Sequence, residues 1–331
     1  MQAFIDRLID EIALKESCAV VGLDPQLELL PPNLVEPIYQ KYGHTLEGAG
    51  YAAEEFCRRV VDLVAPHVVA VKVQLGCFER LGWMGMKACA NTIRHAQEKG
   101  LLVICDGKRA DVGFTAQAYA EGYLGEVEVA DVPQTPWGAD AITVNPYLGW
   151  DGIQPFVEVA KEYGKGVFVL VKTSNLSSGQ VQDLVAEGRQ VYAHLAELVS
   201  SWAEEVMGEH GYSSLGAVVA ATFPRDAARI RALMPHCYFL VPGYGAQGGT
   251  AQDAIPSFNP DGTGAIVNSS RAVIYAYYQP PYAEEFGPER WEEAVESAVI
   301  AMNDDINSAL LKHYPQARPA KPGDGRRSDV T

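Results

Sequence analysis

Between Leu101 and Thr115 the chain reads Leu-Leu-Val-Ile-Cys-Asp-Gly-Lys-Arg-Ala-Asp-Val-Gly-Phe-Thr. A run of five apolar residues is followed at once by Asp106, Lys108 and Asp111. Buried charges forfeit hydration that only a partner or a ligand restores, so charges of both signs at the end of a buried strand indicate a site. Asp106 and Lys108, two positions apart, share one strand face. Lys72, in a second apolar run, extends the order to lysine, aspartate, lysine, aspartate. Each lysine in such an array keeps its neighbouring aspartates ionised, each aspartate keeps the lysines protonated, and the set titrates as a unit.

Positioning these groups requires a scaffold of short buried strands. Eight apolar runs, rich in Val and Ile, are spaced along the chain: 19–23, 68–73, 101–105, 141–144, 167–171, 217–221, 238–241 and 265–267. They are continuous rather than alternating, as suits strands covered on both faces. The intervening stretches carry helical periodicity. The clearest, from Val181 through Leu184, Val185, Val191, Leu195, Leu198, Val199 and Trp202 to Val206, predicts a helix. Regular alternation of eight strands and helices predicts an α/β fold, a (β/α)8 TIM barrel, as a single domain over residues 1–314. An open doubly wound sheet is the runner-up, but Gly22-Leu23-Asp24-Pro25 stands where its glycine fingerprint would be. Residues 26–50 read as a long loop with a short helix after strand 1, and residues 250–264 as a long loop after strand 7 and a candidate lid. The Pro-, Gly- and Arg-rich end, 315–331, reads as a disordered tail.

Active sites of such barrels lie at the C-terminal ends of the strands. In chain order these ends deliver Asp24; Lys72 and Gln74; Asp106, Lys108 and Asp111; Asn145; Lys172, Thr173, Ser174 and Asn175; and Thr222. The last two deliver Gly-Tyr-Gly-Ala-Gln-Gly-Gly over 243–249 and Asn-Ser-Ser-Arg over 268–271. Glycines that turn N–H groups outward (Gly245 and Gly248), an amide at Gln247 and a guanidinium at Arg271 together predict a phosphate site.

Composition narrows the classes. The formal net charge is −16, which argues against nucleic acid or an anionic membrane as partner. No apolar run is long enough to span a bilayer, and residues 1–13 lack a signal peptide's apolar block, so a cytoplasmic location is expected. The six cysteines show no Cys-x-x-Cys pair and the seven histidines are dispersed, which predicts buried thiols and no metal site.

The motif from Asp106 to Thr115, preceded by 22–25 and Val71-Lys72 and followed by Thr173-Ser174, 243–249 and Arg271, resembles the orotidine 5′-phosphate decarboxylase family, in its longer bacterial branch. The resemblance spans roughly residues 15 to 275. It implies conversion of orotidine 5′-monophosphate to UMP and CO2, the last step of pyrimidine nucleotide biosynthesis, with no metal or organic cofactor. It further implies that Lys108 donates a proton to C6 and that Asp106 lies against the substrate carboxylate. Lys72 and Asp24 would contact the ribose, Thr173 would bind substrate, Ser174 would read the pyrimidine edge, and Gln247 and Arg271 would hold the phosphate. Asp111 and Thr115 would complete the site of a second subunit, making the protein a homodimer. Arg109 and Ala110 depart from the family pattern, where many members carry Phe followed by a small residue or His.

Three other readings are open at this stage. A metal-dependent sugar-phosphate decarboxylase or synthase of the same superfamily shares the Asp-x-Lys-x-x-Asp strand, but Lys72 stands where it needs a carboxylate ligand. A Schiff-base aldolase would use Lys172 or Lys108 as nucleophile, although two flanking aspartates keep Lys108 protonated. The third is a non-catalytic phosphate-binding barrel.

Overall fold

A computed structural model describes residues 2–316. Eight parallel strands close into a barrel: β1 Ala19–Leu23, β2 Ala70–Gln74, β3 Leu102–Arg109, β4 Ala141–Val144, β5 Gly166–Lys172, β6 Ser213–Val219, β7 Cys237–Val241 and β8 Ala265–Ser269. Each predicted apolar run coincides with one of them to within a few residues. β1 pairs with both β2 and β8, so no edge is left open.

Period-two alternation sorts the side chains of every strand. Val20, Ala70, Leu102, Ile104, Ala141, Phe168, Val218, Leu240 and Ile266 fill the barrel interior, whereas Val21, Val71, Val103, Ile142 and Val169 pack outward in the larger core. The interior is closed at its foot by α1 (Phe4–Lys15). Phe4 meets Phe168 edge-on at 6.0 Å, and a Cβ at Gly166 would lie 2.3 Å from the Phe4 ring, so only glycine admits that plug. With the foot sealed, the interior face of each strand can emerge only at the opposite end. There Lys72 and Gln74 follow Ala70, Asp106 follows Ile104, Thr143 follows Ala141 and Asn268 follows Ile266.

Three expectations about connections are corrected. Residues 26–50 hold more helix than the one short helix expected within a long loop: after a turn at Leu27–Leu29 they form α2 (Pro32–Tyr42) and the start of α3 (Leu46–Val64). Pro32 and Pro31 occupy the start of α2, where a missing N–H costs nothing. Residues 250–264 are not a lid. A capping box at Thr250 and Asp253 opens a short helix, Ala251–Ala254, and Ala251, Ala254, Ile255 and Phe258 are buried against the barrel wall. The long helix expected from Val181 begins only at Val191 (Val191–Trp202). Before it come a four-residue helix, 179–182, and a hairpin pairing 185–186 with 189–190. Val181, Leu184 and Val185 matched the helical spacing but are exposed, because the connection after β5 rises over the barrel mouth instead of packing on its side.

The other long helices, in chain order, are α4 (Gly82–Glu98), α5 (Gly113–Leu124), α6 (Trp150–Tyr163), α7 (Val191–Trp202) and α8 (Pro224–Leu233), which alternate with the strands, and α9 (Trp291–His313), which follows β8. Of the tail expected at 315–331, residues 317–331 lie outside the described residues. All six cysteines are free. Among the described residues no helix is long and apolar enough to cross a membrane.

Candidate active site

At the C-terminal mouth of the barrel lies a cavity of about 620 Å³. Of the residues the sequence singles out, Asp24, Lys72, Asp106, Lys108, Thr173, Ser174, Gln247 and Arg271 line it, together with Gln74, Thr143 and Asn268.

Its floor is organised on the Asp106 carboxylate, which is 7% exposed and accepts four hydrogen bonds. Lys72 Nζ donates to Oδ2 at 2.8 Å and Gln74 Nε2 to the same oxygen at 3.1 Å. Lys108 Nζ donates to Oδ1 at 2.6 Å and Thr143 Oγ1 to it at 2.8 Å. The paired register of Gln74 with Asp106 on adjacent strands sets the first pair of contacts. Burial by itself would push the Asp106 carboxyl up, but Lys72 and Lys108 outweigh it and hold the group well below the usual carboxylate range. Burial likewise works to lower Lys72, and Asp106 with Asp24 more than offsets this, raising the ammonium above its ordinary value. Lys72 is buried, whereas the Lys108 side chain is 45% exposed and faces the cavity. Its backbone is left-handed, φ 46°, a conformation non-glycine residues rarely take and one associated with functional sites.

The rim on the far side carries Gln247 and Arg271. Arg271 makes no ion pair among the described residues. The loop between β7 and Ala251 is held closed by its own backbone. Gly245 N–H donates to Gly249 O at 2.8 Å, Gly248 N–H to Gly245 O at 2.8 Å and Gly249 N–H to Gly243 O at 3.0 Å. The expectation that Gly245 and Gly248 turn their N–H groups to an anion is therefore corrected: those donors are consumed in shaping the loop. Their part is conformational, with φ of 76° and 88°. A Cβ at Gly245 would also come within 2.8 Å of Ala272. Tyr244 Oη donates to Asp305 Oδ2 at 2.8 Å and so ties this loop to α9.

Asp24 is held from behind. Gln26 N–H donates to Tyr275 Oη at 2.7 Å, and that hydroxyl donates to Asp24 O at 3.0 Å. Asp24 Oδ1 and Asn268 Oδ1 are buried without a hydrogen-bond partner among the described residues. At the edge of a cavity, such acceptors are left for a ligand.

Asp111 and Thr115 do not line this cavity. Asp111 Oδ1 accepts from the adjacent Val112 N–H, just ahead of α5 (Gly113–Leu124). Around them Val112, Phe114, Tyr147 and Leu148 are exposed, Phe114 at 88% and Tyr147 at 85%. Lys172 also lies off the cavity. It is wholly buried, paired with Asp183 and, at 3.6 Å, with Asp226, and covered by the rings of Phe223 and Tyr192. A Schiff-base role for Lys172 is corrected accordingly, because its amine faces no space a carbonyl substrate could enter. Its ion pair instead anchors the segment after β5. The adjoining Gln182 amide clasps Thr173, receiving its N–H at 3.0 Å and donating to its hydroxyl at 2.7 Å.

Sequence reasoning assigned no role to Thr143, Gln74 or Asn268. The available signal was parity: Thr143 and Asn268 stand two positions beyond the interior residues Ala141 and Ile266, and Gln74 four positions beyond Ala70 on the same strand face.

The chain is also similar to known proteins. Residues 20–285 match the family described as Orotidine 5′-phosphate decarboxylase / HUMPS family. A protein named orotidine 5′-phosphate decarboxylase from Rhodopirellula baltica is 42% identical over 306 residues, covering 92% of this chain and 99% of its own. One of the same name from Caldicellulosiruptor bescii is 42% identical over 310 residues, covering 94% and 100%. The solved structure of Leishmania donovani OMP decarboxylase superposes with a TM-score of 0.70 at 29% identity, covering 94% of this chain and 99% of that one.

Proposed function

From the premise that the chain belongs to the Orotidine 5′-phosphate decarboxylase / HUMPS family, we propose that it decarboxylates orotidine 5′-monophosphate to UMP and CO2, with Lys108 as proton donor. The protein is an enzyme of the decarboxylase class, and the reaction is the last step of pyrimidine nucleotide biosynthesis. The observation that carries the residue assignment is the Asp106 carboxylate, ionised, buried and ringed by four donors beside a lysine that faces the cavity.

With phosphate at Gln247 and Arg271 and the ribose near Asp24 and Lys72, the pyrimidine lies over Asp106 and Lys108, with Thr173 and Ser174 at its edge. The substrate carboxylate then meets the fixed negative charge of Asp106. When the C6–carboxylate bond breaks, CO2 leaves as a neutral molecule, that repulsion vanishes, and the electron pair stays on C6. The Lys108 ammonium stabilises the carbanion and transfers its proton to it, forming the C6–H bond, and is later reprotonated from water. Charges fixed in advance in a dry site stabilise such an intermediate without reorganisation. Phosphate contacts remote from C6 supply binding energy that holds the reacting groups together.

The alternative metal-dependent chemistry of the superfamily fits less well. Both oxygens of Asp106 are occupied by ammonium, amide and hydroxyl donors, and Lys72 places a cation where a metal would need a ligand.

The homodimer belongs to the same reading. Asp111 and Thr115 stand outside their own cavity amid exposed Val112, Phe114, Tyr147 and Leu148, a surface suited to a second copy whose site these residues would complete.

Purified protein in excess EDTA, assayed by the ultraviolet absorbance change of orotidine 5′-monophosphate, is expected to produce UMP. Lys108→Ala is expected to lose nearly all of this activity. A strict Mg²⁺ requirement, or an unimpaired Lys108→Ala variant, would overturn the proposal.

A further inference from the structure

Of the four donors on Asp106, one does more than neutralise the carboxylate. Thr143 is 1% exposed on the interior face of β4. Its hydroxyl donates to Asp106 Oδ1 at 2.8 Å and accepts the backbone N–H of Lys108 at 3.0 Å. A hydroxyl has one proton to give and lone pairs to receive, so both bonds form at once.

Lys72, Gln74 and Lys108 fix the carboxylate by their side chains alone. Thr143 joins that carboxylate to the main chain of the residue expected to deliver the proton. The junction falls where β3 departs from regular geometry: Lys108 is left-handed at φ 46°, and the β3–β4 register shifts between Cys105 and Arg109. A strained backbone persists only where its surroundings over-determine it.

We propose that Thr143 is a positioning residue, holding the strained Lys108 main chain and the Asp106 carboxylate in one fixed relation, so that the ammonium and the repelling charge bear on the same substrate carbon. Thr143 does not line the chemistry as an acid or base; it acts through its two neighbours. The proposal rests on the decarboxylase reading above.

The test compares Thr143→Val, which keeps the shape and removes the hydroxyl, with Thr143→Ser, which keeps the hydroxyl and drops the methyl. With a hydrogen bond to an ionised group lost, kcat of the valine variant is expected to fall by about tenfold or more, KM staying within about twofold. The serine variant should recover most of kcat. A second readout needs no substrate: amide hydrogen exchange at Lys108, followed by NMR, should be faster in Thr143→Val than in wild type and Thr143→Ser. If wild type turns over and Thr143→Val matches it in kcat, the positioning role is overturned. If wild type fails to turn over while still binding UMP, the decarboxylase reading is what falls. In that case unchanged Lys108 exchange in Thr143→Val overturns the Thr143 assignment as well, and faster exchange retains its structural half.

Discussion

Asp106 carries more of the site's energetics than any other residue, because it is the counter-charge of a buried lysine. Asp106→Asn would leave the Lys72 ammonium buried with no anion in contact. Breaking a buried pair in this way typically costs about 3–5 kcal/mol, so a large drop in the urea midpoint at pH 7 is expected. Asp111→Asn, near the surface, should leave that midpoint nearly unchanged. The pH dependence has a defined sign. The folded Asp106 carboxyl lies below its unfolded value of about 3.9, so its contribution is complete above that pH and is lost as pH falls towards the folded value. The stability gap between wild type and Asp106→Asn should therefore be constant from pH 7 down to about pH 5, then narrow below about pH 4. A gap that widens on acidification would contradict this account.

At the scale of elements, the loop after β7 shows how backbone conformation becomes affinity. Gly245 is needed both for its φ of 76° and for its distance from Ala272. Gly245→Ala adds about 1–2 kcal/mol of left-handed strain, plus a clash that pushes the loop off Ala272. Since the loop presents Gln247, the expected result is a KM for orotidine 5′-monophosphate raised about tenfold, with a smaller effect on kcat. Steady-state kinetics would check it, and an unchanged KM would show that the loop adapts without loss of phosphate contact. The connections are also where periodicity misled. Val181, Leu184 and Val185 have the spacing of a packed helical face, yet they are exposed around a hairpin. Within 250–258, rich in turn formers, Ala251, Ala254, Ile255, Ser257 and Phe258 are buried. In both cases the position of the segment relative to the barrel, not its local composition, decided burial.

For the molecule as a whole, the expected assembly makes each site dependent on two chains. Lys108→Ala and Asp111→Asn should each be nearly inactive alone. Mixed under conditions that exchange subunits, they should form heterodimers with one intact site, taking Lys108 from one chain and Asp111 from the other. Random pairing then restores about a quarter of wild-type activity, given two-fold symmetry. No recovery on mixing, with exchange verified by mass spectrometry, would remove Asp111 from the neighbouring site. Phe114→Glu, which places a charge on the most exposed aromatic of that surface, should shift the protein to monomer in analytical ultracentrifugation.

The sequence by itself determined the barrel, because strands buried on both faces must be continuous apolar runs and eight such runs admit few arrangements. It also determined the charged array of Lys72, Asp106 and Lys108, since charges placed at the ends of buried strands emerge where the strands do. Tertiary structure alone decided how Asp106 is satisfied. Gln74 and Thr143 reach it only through the register of neighbouring strands, which depends on barrel closure rather than on local sequence. It alone decided that Gly245 and Gly248 spend their N–H groups within the loop, and that Lys172 faces Asp183 and Asp226 instead of the cavity. Asp106 and Asp111 sit five positions apart in one motif, yet one is buried at the cavity floor and the other lies outside it. A strand with a left-handed residue next to its last position changes direction there, and one-dimensional spacing carries no record of the turn.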